Sequence, residues 1–170
     1  MDNYLKKVGC PSIEELQASP AFPKKEDYLK GPIAVIECIE EIPCNPCETS
    51  CPRGSIRIGK PITNLPFIDF EKCSGCGICA AACPGLAIYI KDYNYSEEEA
   101  LVTFPYEYLP LPEVGTAVTA ADRKGQEVCP GRIVKVLQTK ASNKTALVSM
   151  AYPKSFFEDV VTIKRIKPNK

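Results

Sequence analysis

Cys73-Ser74-Gly75-Cys76-Gly77-Ile78-Cys79-Ala80-Ala81-Ala82-Cys83-Pro84 is the stretch on which the fold turns. Its spacing, C-x2-C-x2-C-x3-C-P, strings three thiols along one tight loop and puts a fourth directly before a proline. Thiolates so close in sequence can cap one face of an iron–sulfur cubane, whereas tetrahedral zinc is usually held by separated cysteine pairs. Gly75 and Gly77 let backbone N–H groups come close to cluster sulfurs, which raises a reduction potential by stabilising the more negative reduced state.

A shift of 32 residues uncovers a second copy: Cys44 falls on Cys76, Cys47 on Cys79, Cys51 on Cys83 and Pro52 on Pro84. The likeness runs past the cysteines. Ser55-Ile56-Arg57-Ile58 aligns with Ala87-Ile88-Tyr89-Ile90, so each motif feeds a short β-branched strand. The register breaks once, because the position equivalent to Cys73 is Glu41 and the missing cysteine stands three residues earlier as Cys38. Moving the register by those three residues aligns Ile33 and Val35 with Ile68 and Phe70. Each half then reads strand, cysteine loop, short helix, Cys-Pro, strand, an internal duplication.

Over about residues 31 to 92 the chain resembles the bacterial two-cluster ferredoxins, on Cys38, Cys44, Cys47, Cys51-Pro52, Cys73, Cys76, Cys79 and Cys83-Pro84. The resemblance implies two [4Fe–4S] clusters, with the fourth cysteine of each run serving the other cluster. One cluster would be held by Cys38, Cys44, Cys47 and Cys83, the other by Cys51, Cys73, Cys76 and Cys79. Cys38 is the one ligand outside the family's spacing. Proline after each fourth cysteine ends its helical turn and points the thiolate across the pseudo-twofold axis. Metal binding and folding are then coupled. The first loop has fewer glycines and carries Glu40, Glu41 and Glu48, so its cluster is expected at the lower potential.

Composition limits the chemistry. Ten cysteines in 170 residues call for disulfides or metal. The start, Met1-Asp2-Asn3-Tyr4-Leu5, lacks the apolar run of a signal peptide, which gives a cytoplasmic expectation and favours metal over disulfides. No stretch reaches the roughly 18 apolar residues of a membrane span. Lys plus Arg equals Asp plus Glu at 21 each, so no net field draws nucleic acid or lipid. The sequence has no histidine, which excludes His-ligated zinc, Rieske centres, His-ligated haem and imidazole triads.

The fold class expected is α+β: an N-terminal arm over 1–30, a pseudo-twofold 2[4Fe–4S] ferredoxin-like domain over 31–95, and a small SH3-like or OB-like β-barrel over 96–170. In the arm, Pro11, Pro20 and Pro23 leave only Ile13 to Leu16 as a helical turn. It reads either as a disordered tail or as a strap across a partner. Cys10 there is expected to be an unligated thiol. The barrel rests on strands at Leu101–Phe104, Thr116–Ala121, Gly131–Thr139, Lys144–Ala151 and Val161–Ile166, with a turn-like Pro153–Asp159 before the last. Cys129-Pro130 lacks companion cysteines and is read as an ordinary barrel cysteine. The basic end, Lys164-Arg165-Ile166-Lys167-Pro168-Asn169-Lys170, reads as a solvated strand edge, since no aromatic stacking platform accompanies it.

The segment Val35 to Glu48, with the strand-rich tail, is similar to the small iron–sulfur subunits that accompany FAD-dependent amino-acid, proline or opine dehydrogenases. That resemblance implies a flavoprotein partner in a hetero-oligomer, with electrons passing to or from its flavin. No G-x-G-x-x-G fingerprint occurs here, so a dinucleotide would sit on another chain. The alternative is a free diffusing ferredoxin, against which the extra strands weigh. All eight candidate ligands are cysteines, leaving no open iron site for a stand-alone enzyme, and the balanced charge disfavours a nucleic-acid-binding role.

Overall fold

The computed structural model describes residues 4–142 and 144–166, so the end of the basic tail, 167–170, and Asn143 of the turn before the fourth tail strand lie outside the described residues. The chain opens with α1 (Tyr4–Val8), α2 (Ile13–Gln17) and α3 (Lys25–Tyr28). Ser12 caps α2: its hydroxyl accepts the Glu15 N–H at 3.2 Å, and the Glu15 carboxylate takes the Ser12 N–H at 2.9 Å. The other Glu15 oxygen accepts the Tyr4 N–H at 2.8 Å, which ties α1 to α2.

This arm packs on the chain's own sheet. Leu16 and Ala21 are fully buried, and Phe22 and Tyr28 lean on the main core. The free-tail reading of the arm gives way to this packing. The apolar anchors are scattered through proline-broken turns, so no helical period announces them.

The duplicated part contributes β1 (Ile33–Ile36), α4 (Pro46–Thr49), β2 (Ile56–Arg57), β3 (Phe67–Ile68), α5 (Ile78–Ala82) and β4 (Ile88–Asp92). β1 pairs antiparallel with β4 in the register Ile33↔Lys91 to Ile36↔Ile88. β2 pairs antiparallel with β3, Ile56 opposite Ile68. The strand before the first cysteine loop therefore pairs with the strand after the second, and the strand after the first with the strand before the second. This crosswise pairing is the pseudo-twofold expected from the repeat.

Five strands follow: β5 (Glu99–Tyr106), β6 (Ala117–Ala121), β7 (Glu127–Leu137), β8 (Ala146–Pro153) and β9 (Thr162–Ile163), with a 3-10 turn at Lys154–Phe156 before the last. All five lie close to the stretches expected from alternation and turn residues. Their assembly differs from expectation. A closed SH3-like or OB-like barrel over 96–170 is not formed by the described residues: seven strands make one antiparallel sheet in the order β1-β4-β5-β8-β7-β6-β9, with β1 and β9 at its ends.

The cause is a hairpin. Asp92 Oδ1 accepts the Asn94 N–H at 2.9 Å and Ser96 Oγ accepts the Glu99 N–H at 2.9 Å, turning the chain so that β5 pairs with β4 through Ile90↔Thr103 to Asp92↔Leu101. The later strands thus extend the sheet of the cysteine-rich part. Register shifts in β6 between Thr119 and Ala121, and in β7 between Ile133 and Lys135, sharpen the twist at the far end.

Two cores lie on this framework. The larger gathers Val35, Tyr89, Val102, Val148, Met150 and Tyr152 with the arm's aromatics. The smaller gathers Ala34, Ile36, Ile56, Ile68, Ile88, Ile90 and Leu147 around the cysteine loops. β1 is buried on both faces because alternate residues serve different cores, Val35 one and Ala34 with Ile36 the other.

Candidate metal centre

α4 and α5 occupy equivalent places in the two copies. Cys47 lies within α4 and Cys79 within α5, while Cys83 terminates α5 with an extended backbone (φ −73°, ψ 112°), the conformation that a following proline requires. Gly75 has φ +61°, and a Cβ there would stand 2.6 Å from the Pro32 carbonyl oxygen. The second loop therefore lies directly on the chain entering β1, and only glycine fits.

The structure brings the eight cysteines into two groups. Cys38, Cys44, Cys47 and Cys83 line a single cavity walled by Ile36, Ile58, Pro66 and Ile88. Burial pushes the Cys47 thiol up to about 11, and Cys83, Cys44 and Cys38 add to the rise in that order. Cys38 is raised by burial and then by Cys83. On the other side of the repeat, burial pushes Cys79 up to about 12, followed by Cys73, Cys76 and Cys51. Each group joins three thiols of one copy to the Cys-Pro thiol of the other, because β1/β4 and β2/β3 pairing carries each Cys-Pro across the axis.

Thiols held this high stay protonated near neutrality, so a metal must displace their protons on binding. Among the described residues no three cysteine or carboxylate side chains come close enough to hold one metal ion. A mononuclear zinc draws its sulfurs in to about 2.3 Å. A cubane, whose ligands bind separate irons, suits thiols that stand apart around a cavity.

Backbone and hydroxyl donors fit the same group. The Ala34 N–H points to Cys73 Sγ at 3.4 Å, Ser55 N–H to Cys51 Sγ at 3.3 Å and Ala87 N–H to Cys83 Sγ at 3.4 Å. At Cys51, burial raises the thiol, but the N–H groups of Ser55, Arg53 and Ile56 outweigh it and leave the thiol below its ordinary value. The Ser50 and Ser55 hydroxyls are both buried; Ser50 has no hydrogen-bond partner among the described residues, and the Ser55 hydroxyl helps to hold the Cys51 thiol down. Ser50 directly precedes Cys51, and Ser55 follows it by four residues. Buried donors so placed suit a site whose sulfide acceptors arrive with the cluster. Nothing in the sequence marks them, since serine is common in turns.

Cys10 and Cys129 belong to neither group. Cys10 is half-buried in the arm, and Cys129 is buried in the main core on β7. Behind Cys38 lies a polar network that sequence reading missed. Glu37 Oε1 accepts from Arg123 Nη2 at 3.1 Å and from the Tyr89 hydroxyl at 2.6 Å. No sequence signal links Glu37 to an arginine 86 residues away.

Residues 66–89 match the family described as "4Fe-4S binding domain". Similar curated proteins include the "Ferredoxin-type protein NapF" of Haemophilus influenzae, 33% identical over 61 residues that cover 35% of each chain. A second is a subunit of the ion-translocating oxidoreductase complex of Methanosarcina acetivorans, 46% identical over 50 residues, 29% of this chain and 18% of that one. A third is a subunit of the F(420)H(2) dehydrogenase of Methanosarcina mazei, 28% identical over 102 residues, 49% of this chain and 58% of that one. The chain thus spans less than two thirds of each of these relatives. No solved structure matches.

These likenesses support [4Fe–4S] binding by the cysteine-rich segment and a ferredoxin-type electron-transport role. No helix among the described residues is long and apolar enough to cross a membrane.

Proposed function

We propose that the chain is an electron-transfer subunit with two [4Fe–4S] clusters, one held by Cys38, Cys44, Cys47 and Cys83 and the other by Cys51, Cys73, Cys76 and Cys79. The observation that carries this reading is the grouping of the thiols, in which each Cys-Pro cysteine joins the three cysteines of the opposite copy. A [4Fe–4S] cluster supplies reversible one-electron chemistry. The chain's own residues fix the thiolates, exclude water with Ile36, Ile58 and Ile88, and donate backbone N–H groups to sulfur.

In this reading residues 31–95 are the electron-carrying unit and 96–170 form a docking platform built onto its sheet, with the arm over 1–30 bracing the two. The partner is a flavoprotein dehydrogenase subunit acting on an amine or amino acid in the cytoplasm. Support comes from the resemblance of Val35 to Glu48 to such iron–sulfur subunits, from two relatives that are named as subunits of oxidoreductases, and from the five strands β5 to β9 beyond what a ferredoxin core requires.

Anaerobic purification of the full chain from its native source tests both levels. Co-elution with a flavin-bearing chain, and about eight irons per chain, is the expected result. Elution alone near 18.7 kDa would leave a free ferredoxin, and about four irons per chain would end the two-cluster assignment.

A further inference from the structure

A cavity of about 780 Å³ lies away from the cysteines, between the N-terminal arm and the sheet. That is the size of a small-molecule site. Phe22, Tyr28, Phe70 and Phe157 supply aromatic walls, and Lys91 and Arg123 contribute cations. Lys91 is 2% exposed, and its ammonium donates to the Phe157 carbonyl and sits 4.7 Å from the Phe157 ring centre. One carbonyl leaves two of its three donors without a named acceptor.

Charge around the cavity is unbalanced. Lys24, Lys25, Lys91 and Arg123 line it against only Asp27 and Glu158. Glu158 lies 3.6 Å from Lys25, and Asp27 already receives the Lys24 N–H and Lys30. Glu37 pairs with Arg123 from behind, whereas among the described residues Lys91 has no ion-pair partner and meets only the smaller pull of Glu37, Asp159 and Glu158. A buried cation without a counter-ion is costly, and an incoming anion removes that cost.

We propose that this cavity binds a small aromatic carboxylate, with Lys91 and the unused guanidinium donors of Arg123 taking the carboxylate and Phe22, Tyr28 and Phe157 enclosing the ring. Two of the five Arg123 N–H donors face Glu37 and Tyr89 engages the guanidinium as well, which leaves the rest of the five for a ligand. The site is independent of the cluster ligands. Its occupancy would also join the arm to the sheet, since Phe22 and Tyr28 come from the arm.

Binding takes up a proton. Burial, and next Arg123, push Lys91 down to about 7, against smaller opposing contributions from Glu37, Asp159 and Glu158; burial keeps Tyr89 and Tyr28 neutral, and Lys24, Lys25, Asp27 and Glu158 complete the titratable lining beside Arg123. A carboxylate at the ammonium favours the charged form, so affinity falls as pH rises through that value.

The test is calorimetric titration of the cluster-loaded full chain with benzoate, with benzyl alcohol as the neutral probe of similar shape. Saturable benzoate binding is expected, about tenfold or more tighter than benzyl alcohol and weaker at about pH 9 than at about pH 6. Lys91→Met should abolish it while Lys91→Arg retains it, with unchanged cluster absorbance reporting an intact fold in both. Equal binding of the two probes, benzoate binding by Lys91→Met at wild-type strength, or no binding at millimolar benzoate would overturn the proposal.

Discussion

Arg123, in the turn between β6 and β7, holds Glu37, the residue before Cys38, at 3.1 Å, so the far end of the sheet grips the chain where the first cysteine loop begins. The two side chains are 16% and 11% exposed, and the Tyr89 hydroxyl donates to the same carboxylate oxygen. Removing one member of a buried pair leaves the other charged and unpaired. Arg123→Met should therefore destabilise the folded protein by about 3 kcal/mol. Anaerobic thermal unfolding, followed through visible cluster absorbance, measures this, and a melting temperature equal to wild type would show that the pair is dispensable.

Cysteine substitutions separate ligands from bystanders. Cys10→Ser and Cys129→Ala should keep the full complement of about eight irons per chain. Cys83→Ala should lose the cluster of Cys38, Cys44 and Cys47 while sparing the other. Spectroscopy of the residual cluster gives the sharper reading: loss of the Cys73 cluster in Cys83→Ala would mean that each Cys-Pro serves its own copy.

Three glycines grade the tightness of the second loop and the sheet. Gly75→Ala would place a Cβ 2.6 Å from a backbone oxygen at φ +61°, where nothing flexible can yield. Gly131→Ala meets the Met150 sulfur, and a methionine side chain can move aside. Gly85→Ala meets nothing within 4 Å. Cluster retention after brief exposure to chelator should fall in the order Gly85→Ala, Gly131→Ala, Gly75→Ala, with the first close to wild type.

How much of this was readable beforehand depends on the range of the interaction. The duplicated cysteine loops, β1 to β4, and the five later strands follow from local signals: ligand spacing, β-branched runs and turn residues. The sheet order was not readable, because β4 and β5 each look like an edge of a separate unit until the Asp92-to-Glu99 hairpin joins them. The packing of the arm was hidden for a related reason, since Ala21 and Tyr28 meet their cores only in three dimensions. Lys91 shows the limit most plainly. In sequence it continues an Ile-Tyr-Ile strand as an ordinary edge lysine, but in the sheet it lies opposite Ile33 and is buried.

Burial of Lys91 makes stability depend on pH in a defined sense. Its folded value of about 7 is far below the ordinary 10.5, so between these limits the unfolded chain binds more protons than the folded one. The penalty for burying the charge is fully present below about pH 7 and fades as pH rises toward about 10.5. Lys91→Met removes this dependence. Stability relative to that variant should therefore rise for the wild type from about pH 7 to about pH 9.5, in chemical unfolding of the two proteins side by side. Parallel curves would mean that Lys91 keeps its ordinary value.

The two clusters should differ in potential, and the structure adds to the reason given by sequence. The Cys73 group receives backbone N–H groups from Ala34 at Cys73, from Ser55, Arg53 and Ile56 at Cys51 and from Ala80 at Cys79, whereas the Cys38 group receives them from Ala87 at Cys83, Glu40 at Cys38 and Glu48 at Cys47. The buried Ser50 and Ser55 hydroxyls also lie close in sequence to a thiol of the Cys73 group, Cys51, which Ser55 helps to lower. Each donor stabilises added negative charge, so the Cys73 cluster should be reduced first and the Cys38 cluster, beside Glu40 and Glu41, second. Spectroelectrochemical titration of the wild type should resolve two steps. Ser55→Ala should move only the upper step, to more negative potential, by lowering the number of donors around Cys51. A shift confined to the lower step would reverse the assignment of the clusters, and coincident steps in the wild type would show that the altered first loop leaves the two copies electrically equivalent.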